Sequence, residues 1–257
     1  MTFLQLINNV LIRLRENTIT EEDLVANKDP YIRFLGSAVN DAKDRVEDAW
    51  QWGALRNTDR IPLFADQGGQ YSLPNSADTH YIIKRIAVYQ NTSPTDPVST
   101  SSRNFLRWTN VDRVKGFFSN PTGIQQNRPS EFAVTGVARE PQFAAADVGK
   151  IVITLITTPS GTTTVPDYWL EIDNVRHPEI LTDSSDILLV PSLPVYTLAA
   201  ALASRERGEV GGTPINELLS IADSFLSDAI AIDSALYANE LDFWADTDLH
   251  NTNVRFA

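Results

Sequence analysis

Cysteine is absent from this 257-residue chain, methionine occurs once and histidine three times. Without cysteine there is no disulfide framework, no thiolate metal site and no cysteine nucleophile. His80, His177 and His250 each stand alone in sequence. None has a second ligand at helical or hairpin spacing, so no metal site is expected. A phosphate-cradling loop is also missing, because Gly68-Gly69 and Gly211-Gly212 lack the spacing and the lysine it requires. No serine sits in a Gly-x-Ser-x-Gly elbow. The acid pairs Glu171/Asp173 and Asp183/Asp186 resemble a general acid and base only on paper. Residues two apart on a strand share a face, and such pairs are expected to be solvated. These absences predict a protein with no catalytic residue, no cofactor and no enzymatic activity.

Long apolar runs are lacking too. None approaches the roughly 20 residues needed to span a bilayer, and the opening segment is broken by Gln5, Asn8, Asn9 and Arg13. The expectation is a soluble protein, with no signal peptide and no membrane association. Positive charge runs out toward the end. Residues 191–257 hold three cations against ten acids, which accounts for most of the net charge of −12. Between Arg207 and Arg255 there is no Lys or Arg at all, while nine acids occur. A nucleic-acid binder needs clustered cations to displace phosphate counterions, and this segment is the reverse. The acid serves either solubility or a surface past which DNA slides without sticking.

What is present is a periodic pattern that changes twice. Phe3, Leu6, Ile7, Val10, Leu11 and Leu14 recur at three- and four-residue steps and predict a first helix. A polar, acidic stretch follows over residues 19–28. Asp29-Pro30 then supplies a cap and a first-turn proline for a second helix. Its apolar stripe runs through Tyr31, Phe34, Leu35, Ala38, Val39, Ala42, Val46, Ala49 and Trp50, with Asp41, Asp44, Arg45, Glu47 and Asp48 mainly opposite. After Trp52-Gly53 the composition turns to β-branched and aromatic residues cut by Pro, Gly, Ser and Asn clusters. Strands are expected at residues 81–89, 131–137, 150–157 and 168–175, among six to eight in all, with a short helix near 110–118. Helical signals return after Pro191. Val195, Leu198, Ala199 and Leu202 line one helix, Gly208 and Gly211-Gly212 interrupt, and Thr213-Pro214 opens another. That last helix carries Leu218, Leu219, Ala222, Phe225, Leu226, Ala229, Ile230 and Leu236 on its apolar side.

The pattern predicts an α+β chain in three parts. Residues 1–56 and 191–238 form a helical bundle of about four helices drawn from both chain ends. Residues 57–190 are a β-rich insertion, an antiparallel sandwich or barrel-like domain. Residues 239–257 form an extended C-terminal arm. The arm has no helical period, yet it carries Leu241, Phe243, Trp244, Leu249, Val254 and Phe256. Large aromatics are rare in a purely disordered tail. They either bind a partner by pocket filling and edge pairing or fold back on their own domain.

The order of parts resembles a known family. The helix running from Val39-Asn40-Asp41-Ala42-Lys43 to Val46-Glu47-Asp48-Ala49-Trp50-Gln51-Trp52 and the β-rich middle carry part of the likeness. So does the closing block, from Leu188-Leu189-Val190-Pro191 through Ser204-Arg205-Glu206-Arg207-Gly208 to Asp228-Ala229-Ile230-Ala231-Ile232-Asp233. Together they look like the head-to-tail adaptors, or connectors, of tailed bacteriophages, of the tail tubular protein A type. The resemblance implies a structural virion protein that assembles in the host cytoplasm. It implies a ring, generally of twelve copies, between the portal protein and the tail nozzle protein, with DNA passing through unbound. In such a ring Glu217, Asp223, Asp228 and Asp233 are candidate acids on the channel surface, and the six apolar residues of the arm are candidates for gripping the portal or a neighbouring copy. The alternative is a carbohydrate-binding β sandwich offering Trp108, Trp169 and Tyr168 to sugar rings. A hydrolase is the poorest fit, for want of a nucleophile beside a base.

Overall fold

A computed structural model describes residues 1–26, 29–63, 69–74, 76, 81–90, 104–118, 128–157, 168–206 and 213–236. Among them are six α-helices and two four-stranded sheets. The class is α+β, and the chain divides into two compact units, residues 1–55 with 179–257 and residues 56–178.

The first unit is helical. Helix α1 (Phe3–Arg13) opens on a capping box in which Thr2 and Gln5 exchange side-chain and backbone hydrogen bonds. It buries Phe3, Leu6, Ile7, Val10 and Leu11, the predicted face. Helix α2 (Glu21–Ala26) occupies the polar stretch where no helix was expected. Thr20 and Asp23 cap it reciprocally, and its first-turn acids lie at the positive end of the helix dipole. Helix α3 (Pro30–Ala49) begins as the sequence indicates, with Asp29 accepting from Tyr31 N and proline in the first turn. At Gly36 an added Cβ would come within 3.3 Å of Phe3 Cζ, so the missing side chain lets α1 and α3 approach closely.

Helix α5 (Ser192–Glu206) touches α1, α3 and α6 (Thr213–Leu236). Surrounded by three helices, it buries Ala199, Ala200, Ala201, Ala203, Thr197 and Ser204. The expected leucine stripe is less covered, because Leu198 and Leu202 are only half-buried. Small side chains hold the centre because a helix contacted on several sides must let backbones come near. Residues 179–190, expected with the β-rich part, belong instead to the helical unit. The reason is local hydrogen bonding. Leu188 N donates to Met1 O, Phe3 N donates to Asp186 O, and Thr2 and Ile187 form a β-bridge. Asn40 of α3 clamps the same segment, accepting from Leu181 N and donating to Leu181 O at 2.9 and 3.0 Å.

The second unit holds both sheets. The first has the order β1 (Arg56–Leu63), β8 (Tyr168–Arg176), β3 (Tyr81–Gln90), β4 (Asn104–Phe105) and is antiparallel throughout. The second has the order β2 (Gln70–Ser72), β7 (Ile151–Ile156), β6 (Glu131–Val137), β5 (Arg107–Trp108), with only the β5–β6 pair parallel. Leu63, Ile86, Val88, Leu170 and Ile172 from one sheet meet Tyr71, Phe132, Ile153 and Leu155 from the other in one buried cluster. Neither sheet closes into a barrel among the described residues, since no strand pairs across the two sheets. Helix α4 (Val111–Phe118) covers part of the outer face of the second sheet, setting Val114 against Ala133 and Ile156. The polar strand β1 was not foreseen. Its residues are stabilised by partners far along the chain, with Thr58 opposite Asp173 and Arg60 opposite Glu171.

Candidate functional site

The last helix is apolar well beyond what the described residues of its unit cover. Helix α6 has 24 residues and so runs about 36 Å, against about 22 Å for the 15 residues of α5. Of its described side chains only Ile215 and Ala222 are buried. At about 3.6 residues per turn, Ile215, Ala222, Leu226 and Asp233 lie on one side, and Leu218, Ile221, Phe225, Ile232 and Leu236 form a stripe beside it. Leu218, Ile221 and Phe225 are half-buried, while Ile232 is 66% and Leu236 74% exposed. A solvated helix normally faces its polar side outward, and here a row of five large apolar residues, three half-buried and two exposed, lies along one side. Elsewhere in this unit Ile187, Leu189 and Leu193 are exposed, while Leu188 and Val190 between them point into the core.

The four candidate acids do not share one environment. Glu217, Asp223 and Asp228 are exposed. Glu217 and Asp228 fall beside the apolar stripe on the helical wheel, and Asp223 falls on the opposite flank. Asp233 is engaged within the unit. Its carboxylate accepts from Trp50 Nε1 at 2.9 Å and from Gly53 N at 3.2 Å. It thereby satisfies the chain where α3 ends, and its role is structural. Trp52 is fully buried next to it and donates from Nε1 to Val46 O at 2.7 Å. Nothing in the sequence spacing signals this link, whose partners lie 183 residues apart. Leu241, Phe243, Trp244, Leu249, Val254 and Phe256, the candidate partner-binding residues of the arm, lie outside the described residues, as do His80 and His250.

Helix α3 departs from its predicted pattern in its last two turns. Glu47 was expected on the solvated side. Instead Glu47 and Lys43 are both buried, one turn apart, with Lys43 Nζ 3.1 Å from Glu47 Oε2 and 3.3 Å from Asp44 Oδ1. Ala49, expected on the buried stripe, is exposed. Burial raises the Glu47 carboxyl to about 7, against the pull of the Lys43 ammonium and with a smaller push from Asp44 and Asp48.

The acid pairs have structural duties. Glu171 is buried and takes Arg60 Nε at 3.3 Å, while Asp173 takes Arg85 Nη2 at 2.6 Å and the Thr58 hydroxyl at 2.8 Å. The pair is thus neutralised by cross-strand arginines, which corrects the expected solvated face. Arg85 also lies over the Phe105 ring at 4.6 Å. Asp186 accepts from Thr182 N and Asp183 N in a turn, and those backbone bonds hold its carboxyl below the usual range. On the core side, buried Asp59 accepts from the Tyr81 hydroxyl, Asn174 and Asn57. Burial, with the Asp59 charge next, pushes the Tyr81 phenol up.

Trp108, Trp169 and Tyr168 do not gather into a platform. Trp108 is on edge strand β5 of the second sheet, 5.0 Å edge-on to Phe132. Tyr168 and Trp169 are on β8 of the first sheet, where Tyr168 packs on the core cluster and successive residues point to opposite faces. Among the described residues no three His, Asp or Glu side chains group as metal ligands, and no helix is long and apolar enough to cross a membrane. The chain matches no protein-family model and none of the curated proteins against which it was compared.

Proposed function

We propose that this chain is a structural virion protein, a head-to-tail adaptor of a tailed bacteriophage, working as one subunit of a ring between portal protein and tail nozzle protein. In this proposal the helices of both chain ends make one bundle, the β-rich part is its insertion, and residues 239–257 are an arm that docks on the portal or on the next subunit. The observation that carries it is the apolar stripe of α6, which the described residues cover only in part. A ring subunit must keep apolar surface for a neighbour, and a heterologous contact gives a ring when its repeated rotation closes. Burying five large apolar side chains between copies stabilises a contact by several kcal/mol before the cost of ordering. The acids Glu217, Asp223 and Asp228 suit a conduit that DNA crosses without binding, because anionic walls repel phosphate. The subunit is assembled in the host cytoplasm and ends at the head-tail interface of the virion.

The test is electron microscopy and native mass spectrometry of the purified chain with and without portal protein. Rings of one copy number seated on the portal are expected, and the double substitution Ile232→Asp with Leu236→Asp should abolish them. Both sites are exposed, so the subunit should stay folded. Rings that survive the double substitution, or a chain that never associates with portal, would overturn the proposal.

A further inference from the structure

The outer face of the second sheet carries a half-open trough of about 290 Å3, bordered by α4, β2 and the segment after β6. That volume lies at the small end of ligand sites and suits a single ring. Three features hold it open and polar. First, the β6–β7 register shifts between Val134 and Gly136, and Gly136 has φ 146°, a conformation that excludes a side chain. No atom lies within 4 Å of where a Cβ would stand there. Second, the trough holds two hydroxyls and two amides. Buried Thr154 and half-buried Thr135 are joined hydroxyl to hydroxyl at 2.9 Å, and Gln142 Nε2 donates to Gln70 Oε1. The NH2 group of Gln70 and the amide oxygen of Gln142 are then left for a ligand. Third, the exposed Lys115 of α4 borders the trough, and among the described residues its ammonium makes no hydrogen bond or ion pair. Phe143, Val114 and Val152 supply the apolar wall.

One exposed cation, paired hydroxyls, paired amides and one aromatic ring select a narrow chemistry. An apolar ligand would leave the remaining amide groups of Gln70 and Gln142 unanswered. A neutral sugar would leave the ammonium unanswered, and a bare small anion would leave the amides and the ring unused. We propose that this trough binds an acidic monosaccharide of the hexuronate class. The carboxylate meets Lys115, the ring hydroxyls exchange bonds with Thr135, Gln70 and Gln142, and the apolar face of the sugar ring rests on Phe143. Trp108, Trp169 and Tyr168 do not line the trough. The site lies wholly within residues 56–178, so it stands whether or not the chain forms rings.

Ligand-observed NMR titrations of the full chain with glucuronate, glucose, acetate and inorganic phosphate test it, alongside Lys115→Gln, an exposed position that leaves the fold intact. Saturable glucuronate binding is expected, about tenfold tighter than glucose. Lys115→Gln should reduce glucuronate to the glucose level, and Thr135→Val, checked for an unchanged thermal midpoint, should weaken both sugars. Three outcomes would overturn the assignment: no saturable glucuronate binding up to roughly 20 mM, a weak range for a single site; unchanged affinity in Lys115→Gln; or acetate or phosphate binding as tightly as glucuronate.

Discussion

Replacing Glu47 by Gln isolates the buried ion pair of α3. In the folded chain the carboxyl rises from 4.5 to about 7, so the folded state holds its proton more tightly than the unfolded state does. The stability this contributes is complete below about pH 4.5 and is lost as pH climbs through about 7. A shift of that size corresponds to about 3 kcal/mol between the two protonation states. Screening through the exposed side of the helix, where Asp44 lies, brings the expected effect to on the order of 2 kcal/mol. Glutamine keeps the size and a hydrogen-bonding oxygen for Lys43 but cannot ionise. Urea unfolding of both proteins between about pH 5.5 and 8.5 gives the difference directly, since every other titrating group cancels. The wild type should lose on the order of 2 kcal/mol relative to Glu47→Gln across that range, steadily as pH rises toward about 7 and with little further change above it. If the difference stays flat, or if the wild type gains as pH rises, Lys43 outweighs burial and the carboxylate is ionised in the fold throughout.

Three further outcomes follow from the same coordinates. Asp233→Ala should destabilise the helical unit by about 1–3 kcal/mol in urea unfolding, because the Trp50 indole and Gly53 amide lose their acceptor. Arg15→Gly should raise the thermal midpoint, with a gain of about 1 kcal/mol, since Arg15 ends α1 at φ 60°. Asn40→Ala should cost about 1–3 kcal/mol by opening the two-bond clamp on Leu181, and hydrogen exchange should quicken at Leu181 and its neighbours.

Legibility followed the range of the interaction. The cap at Asp29, the faces of α1 and most of α3, and strands β3, β6, β7 and β8 were readable because each depends on residues close in sequence. Strand β1 was not, because Thr58, Asp59 and Arg60 are satisfied by Asp173, Tyr81 and Glu171, which no local period reports. Glu47 was misplaced because its charged neighbours Asp44, Arg45 and Asp48 mark a solvated side. Only the tertiary burial of Lys43 with it shows otherwise. The apolar face of α6 was evident, but how little of it the described residues cover was not, since periodicity locates a stripe and does not say what fills it. The open trough above Gly136 was equally invisible, arising from a register shift between β6 and β7.

Because α5 is the post around which α1, α3 and α6 stand, a nascent polypeptide exposes the greasy sides of its first two long helices well before their common support is translated. At about 5–20 residues per second, the gap between Leu55 and Ser192 amounts to roughly 7–30 s on the ribosome. The intervening strands have that interval to condense on their own, leaving the early helices as the stretch most in need of a chaperone. A circular permutant that begins at Glu179 and joins the old termini through a linker would be translated with all of its helical partners in succession.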